Sequence, residues 1–141
     1  MGVVYKAEDT RLGRFEALKN LPPSPVRYWP LSDACIDHAE SGRPASAEFI
    51  RTVHEQESAM MAIPDPEVRY IFAGDMAVCG VNDVALRLLK SAIEGKYCAY
   101  EALEKDPLLA SLRSSPEFPQ LLSEAKQCQD KFLAEREQAT R

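Results

Sequence analysis

The 141-residue chain holds only two histidines, His38 and His54, and neither stands at ligand spacing from a cysteine. That pattern speaks against structural zinc, and no metal site is expected. Its four cysteines, Cys35, Cys79, Cys98 and Cys128, form no C-x-x-C pair. No apolar secretory core stands near Met1, so the four are expected to be reduced thiols in a cytoplasmic protein. The longest apolar stretch, Tyr70 to Ile93, is broken by Asp75, Asp83, Arg87 and Lys90, which argues against a membrane span. A cationic face is missing too. The net charge is −5, and residues 1–22, 23–44 and 45–141 carry +1, −1 and −5. Nucleic acid is therefore not an expected partner.

What is present divides into three textures. In residues 1–22, the stretches GVVYKAE and FEALKNL flank DTRLG, whose Gly13 suits a hairpin turn, so a short β-hairpin is expected. Residues 23–44 are rich in proline and poor in periodicity, which predicts a linker or irregular wrap, with Tyr28, Trp29 and Leu31 available to pin it to a helical surface.

From residue 45 to 141 the pattern is helical. Phe49, Val53, Met60 and Ile63 fall on one helix face, with Ser46 as N-cap and Pro64 as terminator. Asp65 and Pro66 open a second helix that Gly80 closes. Asn82 is expected to cap a third, whose stripe is Ala85, Leu88, Leu89 and Ala92 and whose stop is Gly95. Asp106-Pro107 restarts a short helix. Ser115-Pro116-Glu117 then opens a long one with Leu121, Leu122, Ala125, Cys128, Phe132 and Leu133 on its apolar face. The expected fold class is mainly α with a small β appendage.

Residues 66–95 carry a further pattern. Phe72, Ala73 and Met76, a turn at Gly80, and then Ala85, Leu89, Ala92 and Ile93 alternate large and small side chains as close helix crossing requires. This resembles one tetratricopeptide repeat, with a half-repeat before it (45–63) and a divergent one after. Arg69 stands where the family has an aromatic, and Pro107 interrupts the next register. The resemblance implies antiparallel helical hairpins that hold a protein or peptide partner, or that self-associate. About three stacked repeats are the usual minimum, so the ends need the linker, the last helix or another subunit as a cap.

The first 22 residues resemble a bacterial serine/threonine protein kinase. Gly2-Val3-Val4 matches the end of G-x-G-x-x-G-x-V, and Ala17-Leu18-Lys19 matches the end of V-A-I-K. The resemblance implies ATP as cofactor, with Gly2 and Val4 over the nucleotide and Lys19 at its phosphates. Yet Glu16 replaces an apolar strand residue, no H-R-D or D-F-G occurs, and proline-rich sequence follows Lys19. Without an aspartate base and a metal-binding aspartate, phosphoryl transfer has neither nucleophile positioning nor a Mg²⁺ site. The expectation is a remnant of a kinase that carried C-terminal repeats: non-catalytic, with no cofactor of its own.

Three smaller constellations complete the reading. His54 with Glu55 and Glu57 is expected to be solvated rather than catalytic. His38 near Asp37 and Cys35 has no orienting scaffold. Met60-Met61 is expected to fill core.

Overall fold

The structure is a computed structural model, and it describes residues 5–9, 14–18 and 29–140, with side chains from Pro30 onward. The protein is mainly α-helical, as its patterning predicts. Tyr5–Asp9 (β1) and Arg14–Leu18 (β2) pair antiparallel, with Ala7 opposite Glu16. Among the described residues six α-helices follow: α1 (Trp29–Ser41), α2 (Ala47–Met61), α3 (Pro66–Val78), α4 (Asn82–Glu94), α5 (Tyr100–Lys105) and α6 (Phe118–Ala139). A 3-10 segment, Pro107–Ser114, lies between α5 and α6.

The capping chemistry works as the residues predict at three places. Ser46 Oγ accepts from the Phe49 N–H at 3.1 Å, Asp65 Oδ1 from the Glu67 N–H at 2.9 Å, and Asp106 Oδ1 from the Leu108 N–H at 2.9 Å. Each satisfies an N–H that the first helical turn leaves without a partner. Gly80 ends α3 in the left-handed region (φ +76°). There the Gly80 N–H reaches the Ala77 carbonyl at 3.0 Å and the Val81 N–H reaches that of Met76 at 2.9 Å, which together form a Schellman motif.

Other expectations are corrected. The segment read as an irregular linker contains α1. Its Pro30 sits in the first turn, where a missing N–H costs nothing, and no further proline follows before Pro44. Leu31 does pack on the core, as the linker reading allowed. Asn82 is the first residue of α4 rather than its cap. Val81 holds the cap position without a side-chain bond, and Asn82 Oδ1 accepts instead from Ser111 Oγ at 3.2 Å. Gly95 does stop α4, as its C-cap, and the left-handed residue that follows is Lys96 (φ +75°). Lastly, α6 begins at Phe118, past Ser115, and no side chain caps it.

One hydrophobic core joins the helices. Phe72, Ala73 and Met76 of α3 meet Ala85, Leu89 and Ala92 of α4, all nearly inaccessible to solvent. The α3–α4 contact is the most extensive of any helix pair. The two run antiparallel, because Arg69 near the start of α3 donates to Ser91 near the end of α4 at 2.6 Å. Val53 and Met60 from α2, Leu103 from α5, Leu109 and Leu112 from the 3-10 segment, and Leu121 and Ala125 from α6 close the core. At about 0.8 kcal/mol per buried methylene, this cluster is the main favourable term in folding.

Two disulfides cross-link the body, contrary to the expectation of reduced thiols. Cys35 of α1 joins Cys79 at the end of α3 with Cα atoms 5.0 Å apart, and Cys98 joins Cys128 of α6 at 5.3 Å. Four cysteines allow three pairings, and the spacings alone do not choose among them. Among the described residues no helix is long and apolar enough to cross a membrane.

Candidate functional site

Gly2, Val4 and Lys19, the positions that the kinase resemblance marks for nucleotide, lie outside the described residues. The remaining candidates fall at four places.

On the outer face of α2 and α4, Arg87 ties the two helices together. Its guanidinium bonds Glu57 through Nε and again through Nη2 to Oε2 at 3.0 Å, and it reaches Asp83 Oδ2 at 2.9 Å. His54 completes the cluster, with Nδ1 3.8 Å from Glu57 and Nε2 3.6 Å from Asp83. The Arg87 hydrogen bond holds the Glu57 carboxyl below the usual range and outweighs partial burial. For Asp83 burial pushes upward, but the hydrogen bonds from Arg87 and the Val84 N–H win and lower it. Both carboxylates are already engaged by a cation, so the cluster acts as an inter-helix clasp. The i, i+4 spacing of Asp83 and Arg87 is readable in sequence. Glu57 lies 30 positions from Arg87, and only the packing of α2 on α4 reveals it.

The Cys35–His38 neighbourhood is structural. Cys35 is fully buried and disulfide-bonded, so it offers no thiolate, and the His38 ring packs edge-on against Phe49 at 5.4 Å. Beside it, Asp75 of α3 faces α1. Burial raises its carboxyl above the ordinary value, against the hydrogen bond from Ser32 and with help from the Asp33 charge. Met60 is fully buried, in keeping with a core-filling role.

The third place is an open groove of about 690 Å³ between the 96–99 loop and α6. Lys96, Tyr97, Glu124, Lys131, Phe132 and the Cys98–Cys128 disulfide line it, so both signs of charge are present beside an apolar floor. Nothing in the sequence pattern marked it, since its walls come from segments about 30 residues apart.

The fourth is an apolar strip on the outer face of α3. Ile71 is 52% exposed and Leu108 of the 3-10 segment 46%. Gly74, one turn on from Ile71, lets Leu108 lie against the helix backbone: a Cβ at Gly74 would stand 3.3 Å from Leu108 Cδ1. Among the described residues, no group of three or more His, Cys, Asp or Glu side chains is placed to hold a metal ion.

No protein-family model, no curated protein and no solved structure matches the chain.

Proposed function

We propose that this chain is a non-catalytic helical association module, built on a tetratricopeptide-like α3–α4 hairpin and derived from a serine/threonine kinase. The observation that carries the reading is the strip formed by Ile71, Gly74 and Leu108. It sets two large exposed apolar side chains on one surface, with Leu108 seated over the buried Gly74 of α3. Scattered apolar residues on a surface are ordinary, whereas Ile71 of α3 and Leu108 of the 3-10 segment lie on two elements packed against each other.

The occupant is a second copy of the chain. One full hairpin with partial units on either side falls short of the usual three repeats, and a second copy supplies the missing stack. Two strips meeting about a two-fold axis give an isologous contact, the commonest arrangement in homodimers. The kinase ancestry is supported by the resemblance of residues 1–22 alone, and the β-hairpin appendage by the strand-favouring stretches around DTRLG and the antiparallel pairing of β1 with β2.

Size-exclusion chromatography with light scattering, from micromolar to millimolar protein, tests the reading. A concentration-dependent dimer that Ile71→Glu abolishes supports it, and a strict monomer throughout overturns it. The second reading, a nucleotide-binding kinase remnant, rests on Lys19 within its V-A-I-K-like stretch. It predicts thermal stabilisation by ATP that Lys19→Ala removes, and equal melting temperatures with and without ATP reject it.

A further inference from the structure

The two disulfides sit in opposite environments. Cys35 is fully buried and Cys79 is 9% exposed, deep between α1 and α3. Cys98 and Cys128 are only half-buried and form part of the wall of the open groove. Thiol–disulfide exchange needs a thiolate to reach a sulfur, so access separates the two bonds.

The position of Cys128 along α6 gives that access a consequence. Upstream, Phe118, Leu121 and Ala125 anchor the helix in the core. Around Cys128 the remaining ties are light. The Tyr100 N–H donates to Gln129 Oε1 at 3.1 Å, and the Lys126 ammonium lies 5.6 Å from the centre of the Tyr100 ring. Every residue from Asp130 to Thr140 is exposed. The Cys98–Cys128 bond is therefore the last strong fastening before α6 leaves the body.

We propose that Cys98–Cys128 is a thiol-exchange site for small zwitterionic thiols, and that opening it releases the outer half of α6. An incoming thiolate attacks Cys128 Sγ. A new S–S bond forms there as the Cys98–Cys128 bond breaks, and its electron pair leaves on Cys98 Sγ, which takes a proton from solvent. The resulting thiol has an acceptor in place, because Cys98 Sγ lies 3.4 Å from the Lys96 carbonyl oxygen. A second thiolate attacks the small-molecule sulfur of the mixed disulfide. That frees Cys128 as a thiolate, which is protonated in turn, and carries off the oxidised small thiol. Lys96 and Lys131 supply positive charge to the groove wall and Glu124 and Glu135 negative charge, with Lys131 and Glu135 3.9 Å apart, so both signs are at hand for a zwitterionic ligand. This inference is independent of self-association through Ile71.

The test uses the full chain under native conditions with reduced glutathione as the probe, iodoacetamide trapping and peptide mass spectrometry. Cys98 and Cys128 should become trapped at least about tenfold faster than Cys35 and Cys79, with the glutathione adduct on Cys128. Both pairs opening together, Cys35–Cys79 opening first, or an adduct confined to Cys98 overturns the assignment. Amide hydrogen exchange reads the release. It should speed up across 126–139 on reduction, and equally in the Cys98→Ser/Cys128→Ser double variant, while 66–94 stays protected. Unchanged protection of 126–139 in both the reduced chain and the variant overturns the fastening role.

Discussion

Gly95 packs directly on Pro66: a Cβ added at Gly95 would stand 2.9 Å from the Pro66 Cβ and 3.2 Å from the Ser91 carbonyl oxygen. The end of α4 thus closes against the start of α3 through the one residue type that leaves room, although its own φ of −73° suits any residue. Gly95→Ala should destabilise by about 1–3 kcal/mol, the usual cost of overpacking, despite the entropic gain alanine normally brings. The converse holds one residue later. Lys96 occupies the left-handed region at φ +75°, so Lys96→Gly should stabilise by about 0.5–1 kcal/mol. Urea unfolding of both variants, followed by circular dichroism, measures the pair.

The hairpin core and the outer end of α6 should respond very differently to truncation. Phe72 is 2% exposed between α3 and α4, whereas Phe132 is 58% exposed. Phe72→Ala should cost about 3–5 kcal/mol, while Phe132→Ala should stay within about 0.5 kcal/mol of wild type. Denaturant midpoints at constant slope give both values.

These two phenylalanines also mark where the sequence is legible. Both lie on apolar stripes of helical period, and for α3 the stripe points into the core. For α6 the same period continues through Phe132 and Leu133 after the body has ended, because periodicity records a helix face and not what covers it. Caps at Ser46, Asp65 and Asp106 were readable because they are local. Asn82 was misread because its amide bonds Ser111, 29 residues away, which no local rule reveals. The helix at 29–41 was hidden by prolines that in fact flank it or sit in its first turn. Cysteine pairing was out of reach for the same reason as the Glu57–Arg87 bond: both join residues that only the packed fold brings together.

Joining α1 to α3, the Cys35–Cys79 bond spans 44 residues. Cys35→Ser should lower stability by about 2–4 kcal/mol, with the loss concentrated in α1. Thermal unfolding and proteolysis of the α1 segment check it, the expected result being earlier cleavage within 29–44 than in wild type.

The charged groups give two opposite pH signatures. Glu57 and Asp83 are lowered by Arg87, so the unfolded chain holds their protons more tightly than the folded one. Their stabilisation is complete above the ordinary carboxylate range and is lost as pH falls through the lowered values. Arg87→Ala should therefore destabilise by about 1 kcal/mol at neutral pH and match wild type in acid. Asp75 is raised by burial, so its ionised form costs stability, and that cost disappears as pH falls below its raised value. Asp75→Asn should raise the melting temperature at neutral pH, with the gain fading on acidification. Melting curves between neutral pH and about pH 3 separate the two signs.

Association of two copies through Ile71 and Leu108 places the surface of α3 and the 3-10 segment at the contact. Hydrogen-exchange mass spectrometry on dilute and concentrated protein tests it most directly, because it reports both whether copies meet and where. Protection should rise with concentration in residues 66–78 and 107–114, and Ile71→Glu should remove the rise. Exchange independent of concentration, or a rise confined to the 124–135 face of α6, would contradict it.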